Sequence, residues 1–184
     1  EIIELFPSEW IHIGGDECPR DQWEADDAVQ AIIRERGLRD ADELQHWLTR
    51  QMGDHIASRG RKMVGWDEIL NGELPDNATV MAWRDEQQIV EAVKLDRDVI
   101  VSVQQQYYFD FRQDPGVREP LGPRVFDIYL TELDDVFAYD WPEGVDAEGN
   151  DRILGIQAQL WTEFVSTTQR AEYLLFPRLL AVAE

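Results

Sequence analysis

Two consecutive carboxylates, Asp16 and Glu17, stand behind an apolar run, Ile11-His12-Ile13, and a pair of glycines, Gly14-Gly15. Carboxyl groups are suited to moving protons to and from a reacting oxygen, and two of them can divide that work. A strand entered from Trp10 with Ile11 and Ile13 on one face needs no glycine. Gly14-Gly15 therefore implies a bulge, or a close approach by backbone or ligand, and on that reading the carboxylates are aimed. The plainer alternative is that Asp16 and Glu17 open a solvated loop before Pro19, with Asp16 capping the next turn.

The rest of the chain supplies elements that could aim such a pair. A helix ending and a loop at Phe6-Pro7-Ser8 lead into a strand at about 10–16. Val29, Ile32 and Ile33 recur at helical spacing within Ala25–Arg36, closed by Gly37. A second helix starts from a cap at Asp40 or Asp42, carries Leu44, Trp47, Leu48, Met52 and Ile56 as its apolar stripe, and stops at Gly60. Strands are expected at Lys62–Asp67, Ala78–Trp83, Asp98–Val103 and Ile153–Leu160. Helices are expected at Gln87–Leu95, at about Val125–Phe137 and at Gln169–Ala183. Alternation of apolar strands with helices predicts an α/β fold with a parallel sheet. Asp16, Glu17, Trp66, Trp83 and Trp161 all fall at predicted strand exits, which is where a (β/α)₈ barrel builds its active site. A doubly wound sheet would also place ligands there, but no glycine-rich phosphate loop accompanies these strands. Five strands are present where a closed barrel has eight, so the expected architecture is a partial (β/α)₈ barrel within one domain.

Composition narrows the function. A net charge of -21 over 184 residues opposes binding to nucleic acid or to an anionic membrane surface. No stretch reads as a signal sequence or a membrane span. Cys18 is the only cysteine, so no internal disulfide can form, and with no basic group evident beside it a packed thiol is expected rather than a nucleophile. The three histidines share no metal-ligand spacing, and neither a metal nor another cofactor is expected.

His12-Ile13-Gly14-Gly15-Asp16-Glu17 resembles the His-x-Gly-Gly-Asp-Glu signature of the β-N-acetylhexosaminidases, family 20 of the glycoside hydrolases. Gly65-Trp66-Asp67-Glu68, Met81-Ala82-Trp83, Tyr107-Tyr108-Phe109-Asp110 and Gln159-Leu160-Trp161-Thr162-Glu163 agree in the same order, so the similarity runs over nearly the whole chain. The resemblance implies barrel strands four to eight, with residues 1–184 forming the C-terminal part of the catalytic domain. It implies substrate-assisted, retaining hydrolysis of terminal β-linked N-acetylhexosamine, a recognised exception to the scheme of two carboxylates flanking the sugar. Glu17 would be the general acid and later the base. Asp16 would hold the N–H of the sugar's 2-acetamido group, and Tyr108 would bond its carbonyl oxygen. Trp66, Trp83 and Trp161 would wall the pocket, while Asp110 and Glu163 would accept hydrogen bonds from sugar hydroxyls. Asp67 and Glu68 could support the pocket or pair with Arg84 or Arg112, and His12 is expected to be a structural hydrogen-bonding residue.

The chain also departs from that pattern. The family's further pocket tryptophan has no counterpart between Phe111 and Tyr139. Residues that the resemblance assigns to the first three barrel strands lie outside this sequence, which leads to the expectation that the isolated chain binds sugar poorly and turns over little. Uncovered edges around Trp10–Asp16 and Ile153–Leu160 lead to an expectation of self-association. The partners expected are glycans ending in N-acetylhexosamine. A rival from another class is a noncatalytic carbohydrate-binding module that keeps the tryptophans and uses the acids only to hold hydroxyls. An α/β hydrolase lacks its Gly-x-Ser-x-Gly elbow. Neither export nor a choice between the gluco and galacto sugars can be read from these residues.

Overall fold

The computed structural model describes residues 1–116, 119–120, 129–145 and 151–184. The chain divides into two compact units, Glu1–Met81 with Lys94–Asp98, and Ala82–Val93 with Val99–Glu184. Among the described residues no helix is long and apolar enough to cross a membrane.

The first unit runs α1 (Ile2–Leu5), β1 (Trp10–His12), α2 (Asp21–Ala25), α3 (Asp27–Glu35), α4 (Ala41–Ser58), β2 (Lys62–Trp66), a 3₁₀ turn at Asp67–Asn71, and β3 (Ala78–Ala82). Its strands are parallel, with Trp10 opposite Lys62 and Met63 opposite Ala78. Their apolar centres explain the arrangement, because Met63, Val64, Val80 and Met81 are all buried, as strands covered on both faces must be. The sequence pattern carries the first strand to Asp16. Its regular part ends at His12, although Ile13 N–H still donates to Val64 O at 2.9 Å and Trp66 N–H donates to Gly14 O at 2.9 Å.

The helix expected over Ala25–Arg36 is two helices. Asp26 is extended, at φ -93° and ψ 115°, and its Oδ1 accepts from the N–H groups of Ala28 at 2.8 Å and Val29 at 3.0 Å. A short polar side chain that caps the start of one helix also ends the helix before it. Asp40, not Asp42, caps α4, accepting from Glu43 N–H at 2.9 Å. Ile33, Ala41 and Leu44 form a core between α3 and α4, with Trp23, Val29, Leu38 and Trp47 packed against it. Burial of each large side chain there contributes roughly 1.5–3 kcal/mol. Further along α4, Ile56 is buried, but Leu48 and Met52 are 36% and 41% exposed and line an open apolar groove with Ile2, Ile11 and Ile13.

In the second unit α5 (Glu86–Lys94), β4 (Asp98–Val101) and α6 (Gln104–Tyr107) are followed by α7 (Leu133–Phe137), β5 (Ile153–Ile156), α8 (Thr168–Leu175) and α9 (Arg178–Val182). β4 and β5 are parallel, with a bulge between Val99 and Ile100. The pairing resumes further on, where Gln157 N–H donates to Val101 O and Tyr108 bridges to Gln159. Two expected helices are shorter than the sequence pattern suggests. Residues 125–128 of the helix placed at about Val125–Phe137 lie outside the described residues, and helix begins only at Leu133. The closing helix is interrupted at Phe176-Pro177, because proline has no N–H to donate and its ring clashes with the preceding turn. α6 and the 3₁₀ turn have no periodic signal, being one turn or little more.

Candidate active site

In the first unit the carboxylate pair is carried by a backbone that only glycine can begin. Gly14 and Gly15 have φ of +75° and +105°, and Glu17 itself sits at φ +41°. A non-glycine residue at such a φ costs on the order of 1–3 kcal/mol and persists only where its surroundings hold it. Three contacts do so. Gly14 N–H donates to His12 Nδ1 at 3.0 Å, Gln45 Nε2 donates to Gly15 O at 2.9 Å, and Gly14 O receives Trp66 N–H. The approach is close enough that a Cβ on Gly65 would lie 2.8 Å from Ile69 Cγ2 and 3.2 Å from Gly14 O. Gly65 therefore lets this turn lie against β2.

Both carboxylates are exposed. Glu17 borders a polar hollow of about 270 Å³ shared with Gly15, Arg20, Gln45, Glu68 and Asn71. Arg20 is held by Asp42 at 2.8 Å. Cys18 is half-buried and free at the rim of the same hollow. The predicted structural part of His12 is borne out in detail: it accepts the Gly14 N–H and packs its ring edge on Trp66, with ring centroids 5.0 Å apart. Desolvation lowers its pKa, and the charge of Asp16 pulls the other way without cancelling it. A neutral imidazole is what an accepting Nδ1 requires. Trp66 closes β2 as expected, while Asp67 is fully buried and Glu68 is half-buried.

In the second unit two of the remaining predicted residues, Trp83 and Trp161, pack against Tyr108. Its buried ring lies nearly parallel to Trp83, at 6.2 Å and 12°, and meets Trp161 edge-on at 6.0 Å and Phe111 at 5.7 Å. Such aromatic pairs add about 0.5–1.5 kcal/mol beyond the area they bury. Trp161 stands five residues beyond β5 and is 41% exposed, so the strand exit foreseen for it is an extension and not the strand itself. That extension is real, since Phe109 N–H donates to Gln159 O at 2.7 Å and Gln159 N–H to Tyr107 O at 2.8 Å. Beneath it the buried Ser102 hydroxyl donates to Gln159 Oε1.

Asp110 is 5% exposed. Burial pushes its carboxyl up to about 6, and the charge of Glu163 adds to that rise. Hydrogen bonds from its own N–H and from Trp161 N–H, with the nearby Arg178 charge, act in the opposite direction. Its Oδ1 has no hydrogen-bond partner among the described residues. A buried acceptor left open is uncommon and marks a place for a donor that the protein does not provide. Glu163 is exposed.

Two participants escape sequence reasoning. Gln45, from the first half of α4, pins Gly15, and Arg178 braces the backbone around Asp110. Glu68, expected as a support of the pocket, shares the hollow with Glu17. Nothing local marks Gln45 or Arg178, because both act on segments distant in the chain. Among the described residues no three of His, Cys, Asp and Glu gather as ligands for a metal ion.

Comparison with known proteins extends these observations. The family model described as "Glycosyl hydrolase family 20, catalytic domain" matches residues 1–184. A beta-hexosaminidase of Porphyromonas gingivalis is 39% identical over 186 residues, covering 100% of this chain and 23% of that protein. One from Vibrio furnissii is 37% identical over 188 residues, covering 100% and 30%. The chain thus spans under a third of the length of these relatives. Among solved structures, a GH20 exo beta-N-acetylglucosaminidase from Vibrio harveyi, in complex with N-acetylglucosamine, superposes with TM-score 0.89 at 32% identity, over 100% of this chain and 29% of that one. A beta-N-acetylhexosaminidase from Bacteroides fragilis gives 0.84 at 28%, over 99% and 37%. The fold is accordingly that of a partial (β/α)₈ barrel, as the order of strands and helices predicts.

Proposed function

Since this chain belongs to glycosyl hydrolase family 20 along its whole length, we propose that it is the C-terminal part of a catalytic barrel that removes terminal β-linked N-acetylhexosamine from glycans, with retention at the anomeric carbon. Glu17 protonates the glycosidic oxygen as its bond to the anomeric carbon breaks. The carbonyl oxygen of the sugar's own 2-acetamido group attacks that carbon and forms an oxazolinium ion. Asp16 accepts the amide N–H and stabilises the positive charge, while the Tyr108 hydroxyl donates to the amide oxygen. Water then opens the intermediate, giving its proton to Glu17 and restoring the starting configuration. A nucleophile already tethered to the sugar avoids much of the entropy lost in bringing two reactants together.

Trp66, Trp83 and Trp161 offer indole faces to the C–H surfaces of the sugar and its methyl group. Asp110 and Glu163 accept from its hydroxyls. The observation that carries this reading is the open, buried Oδ1 of Asp110 beside the Trp83–Tyr108–Trp161 cluster. An ionised acceptor next to stacked aromatic rings is the combination a hydroxyl-rich ring with apolar faces calls for. The positive φ of Glu17 supports the same reading, because backbone strain concentrates where a side chain must be aimed.

The test is turnover of the nitrophenyl N-acetyl-β-glucosaminide and galactosaminide by the full natural protein. Release of nitrophenol, and weakening of an oxazoline-type inhibitor by roughly 10–150-fold in Asp16→Ala, is expected, as for loss of a hydrogen bond to a charged group. Binding of N-acetylglucosamine without any release would favour the noncatalytic carbohydrate-binding module instead.

A further inference from the structure

Arg178 is the largest fully buried side chain among the described residues, and it meets no carboxylate at ion-pair distance there. Its acceptors are all backbone carbonyls. Nε and Nη2 donate to Leu174 O at 3.2 and 2.6 Å, Nη2 also donates to Phe109 O at 2.6 Å, and Nη1 donates to Thr131 O at 2.9 Å and Phe111 O at 3.3 Å. All five N–H groups of the guanidinium are thereby used. The guanidinium carbon also lies 4.6 Å from the centroid of the Phe109 ring. Burial pushes the group down to about 10, so it remains a cation at neutral pH.

The pattern of acceptors is informative. Leu174 O belongs to the last turn of α8, whose carbonyls lack helical partners and favour a nearby cation. Phe109 O is on the peptide before Asp110 and Phe111 O on the peptide after Phe111, so the two grips bracket the Asp110-Phe111 dipeptide, in a segment with neither helix nor strand geometry to hold it. A rigid fork that grips the chain on both sides of this dipeptide restricts its backbone torsions together, and with them the direction of the Asp110 side chain. We infer that Arg178 is the positioning residue for Asp110 and Tyr108: it ties the Tyr108–Phe111 segment to α8 and to Thr131, so that the Asp110 carboxyl and the Tyr108 ring keep fixed directions. This rests on the proposed roles of those two residues in holding the sugar. Arg178 touches neither substrate nor reacting atoms. Lysine keeps the charge but loses the planar five-donor fork, and so cannot reproduce the clamp.

The experiment compares Arg178→Lys, Arg178→Gln and Leu174→Ala in the full natural protein. Leu174 is buried in α8, and its truncation costs stability without removing a donor from the clamp. With the fraction folded matched by circular dichroism, Arg178→Lys should raise KM for the nitrophenyl N-acetyl-β-hexosaminide at least about tenfold, and Leu174→Ala less than about twofold. In an Asp110→Asn background the effect of Arg178→Lys on KM should shrink to under about threefold, because residues acting through one another are not additive. Equal KM effects in both backgrounds, or a Leu174→Ala variant as impaired as Arg178→Lys, would overturn the inference. Failure of both Arg178 variants to fold while Leu174→Ala folds would assign Arg178 to stability alone and overturn it too. Should the unmodified protein neither bind nor cleave these sugars, the functional reading falls by itself. The clamp is then read from hydrogen exchange of the peptide spanning 107–113, expected about tenfold faster in Arg178→Lys than in Leu174→Ala, and refuted by equal rates.

Discussion

The Gly14–Glu17 and Tyr108–Phe111 segments both present carboxylates, and they are built in opposite ways. The first is open to solvent and held largely through its backbone: two glycines and Glu17 at positive φ, with one hydrogen bond to His12 two residues away, one from Gln45 on α4 and one from Trp66 on β2. The second is buried and held by side chains from far along the chain, with Trp83, Trp161 and Arg178 converging on Tyr108 and its neighbours. An exposed carboxylate keeps its water and needs only direction, which backbone conformation supplies. A buried one loses its water, so its surroundings must supply charge and hydrogen bonds as well as direction.

The contrast can be broken most severely at Glu17. In the full natural protein Glu17→Gln should lower kcat/KM for N-acetylhexosamine disaccharides by about 10²–10⁴-fold, the usual contribution of a general acid. Activated nitrophenyl glycosides should lose far less, since their leaving group needs little protonation. A steady-state comparison of the two substrates checks this, and equal losses would remove the acid role.

Next in size is the pH response of the buried segment. The Asp110 carboxyl sits near 6 in the folded protein against 3.8 when unperturbed, so between those values the native state binds more protons than the unfolded one. Stability attributable to this group is therefore present below about pH 4 and is lost as pH rises through about 6, by up to roughly 3 kcal/mol. Asp110→Asn should remove that loss. Urea midpoints of wild type and variant at pH 4, 5, 6 and 7 should diverge in favour of the variant as pH rises, and parallel curves would contradict the burial argument.

A methyl group at Gly15 tests the backbone device directly. Its Cβ would stand 3.0 Å from Ile69 Cγ2 at a φ of +105°, so Gly15→Ala should cost about 1–3 kcal/mol in denaturant unfolding and lower kcat more than it raises KM. The smallest effect is expected outside both segments. Asp26→Ala removes the cap of α3 and should cost about 1 kcal/mol by the same measurement, leaving kcat and KM unchanged.

Legibility in the sequence follows the same division. Elements with a strong local signal are readable within a residue or two: α4 from a cap at Asp40 or Asp42 to Gly60, β2 with Trp66 at its exit, and β3 from Ala78. The misreadings fall where one residue redirects the chain. Asp26 splits a helix by capping the next one, and Pro177 interrupts a helix whose apolar spacing continues through it. Gln45 and Arg178 carry no mark, since a polar residue within helical sequence looks the same whether it faces water or clamps a backbone carbonyl.

By itself, then, the order of residues determined which chemistry this chain could support. Gly-Gly-Asp-Glu after an apolar strand suits a positive-φ turn, which larger side chains resist, and sets two carboxylates at its end. Tertiary structure alone decided which of those groups became unusual. Burial of Asp110, the open Oδ1, the stacking on Tyr108 and the five-donor grip of Arg178 all depend on the exclusion of water by segments distant in sequence, and desolvation is a property of the packed surroundings that no local pattern encodes.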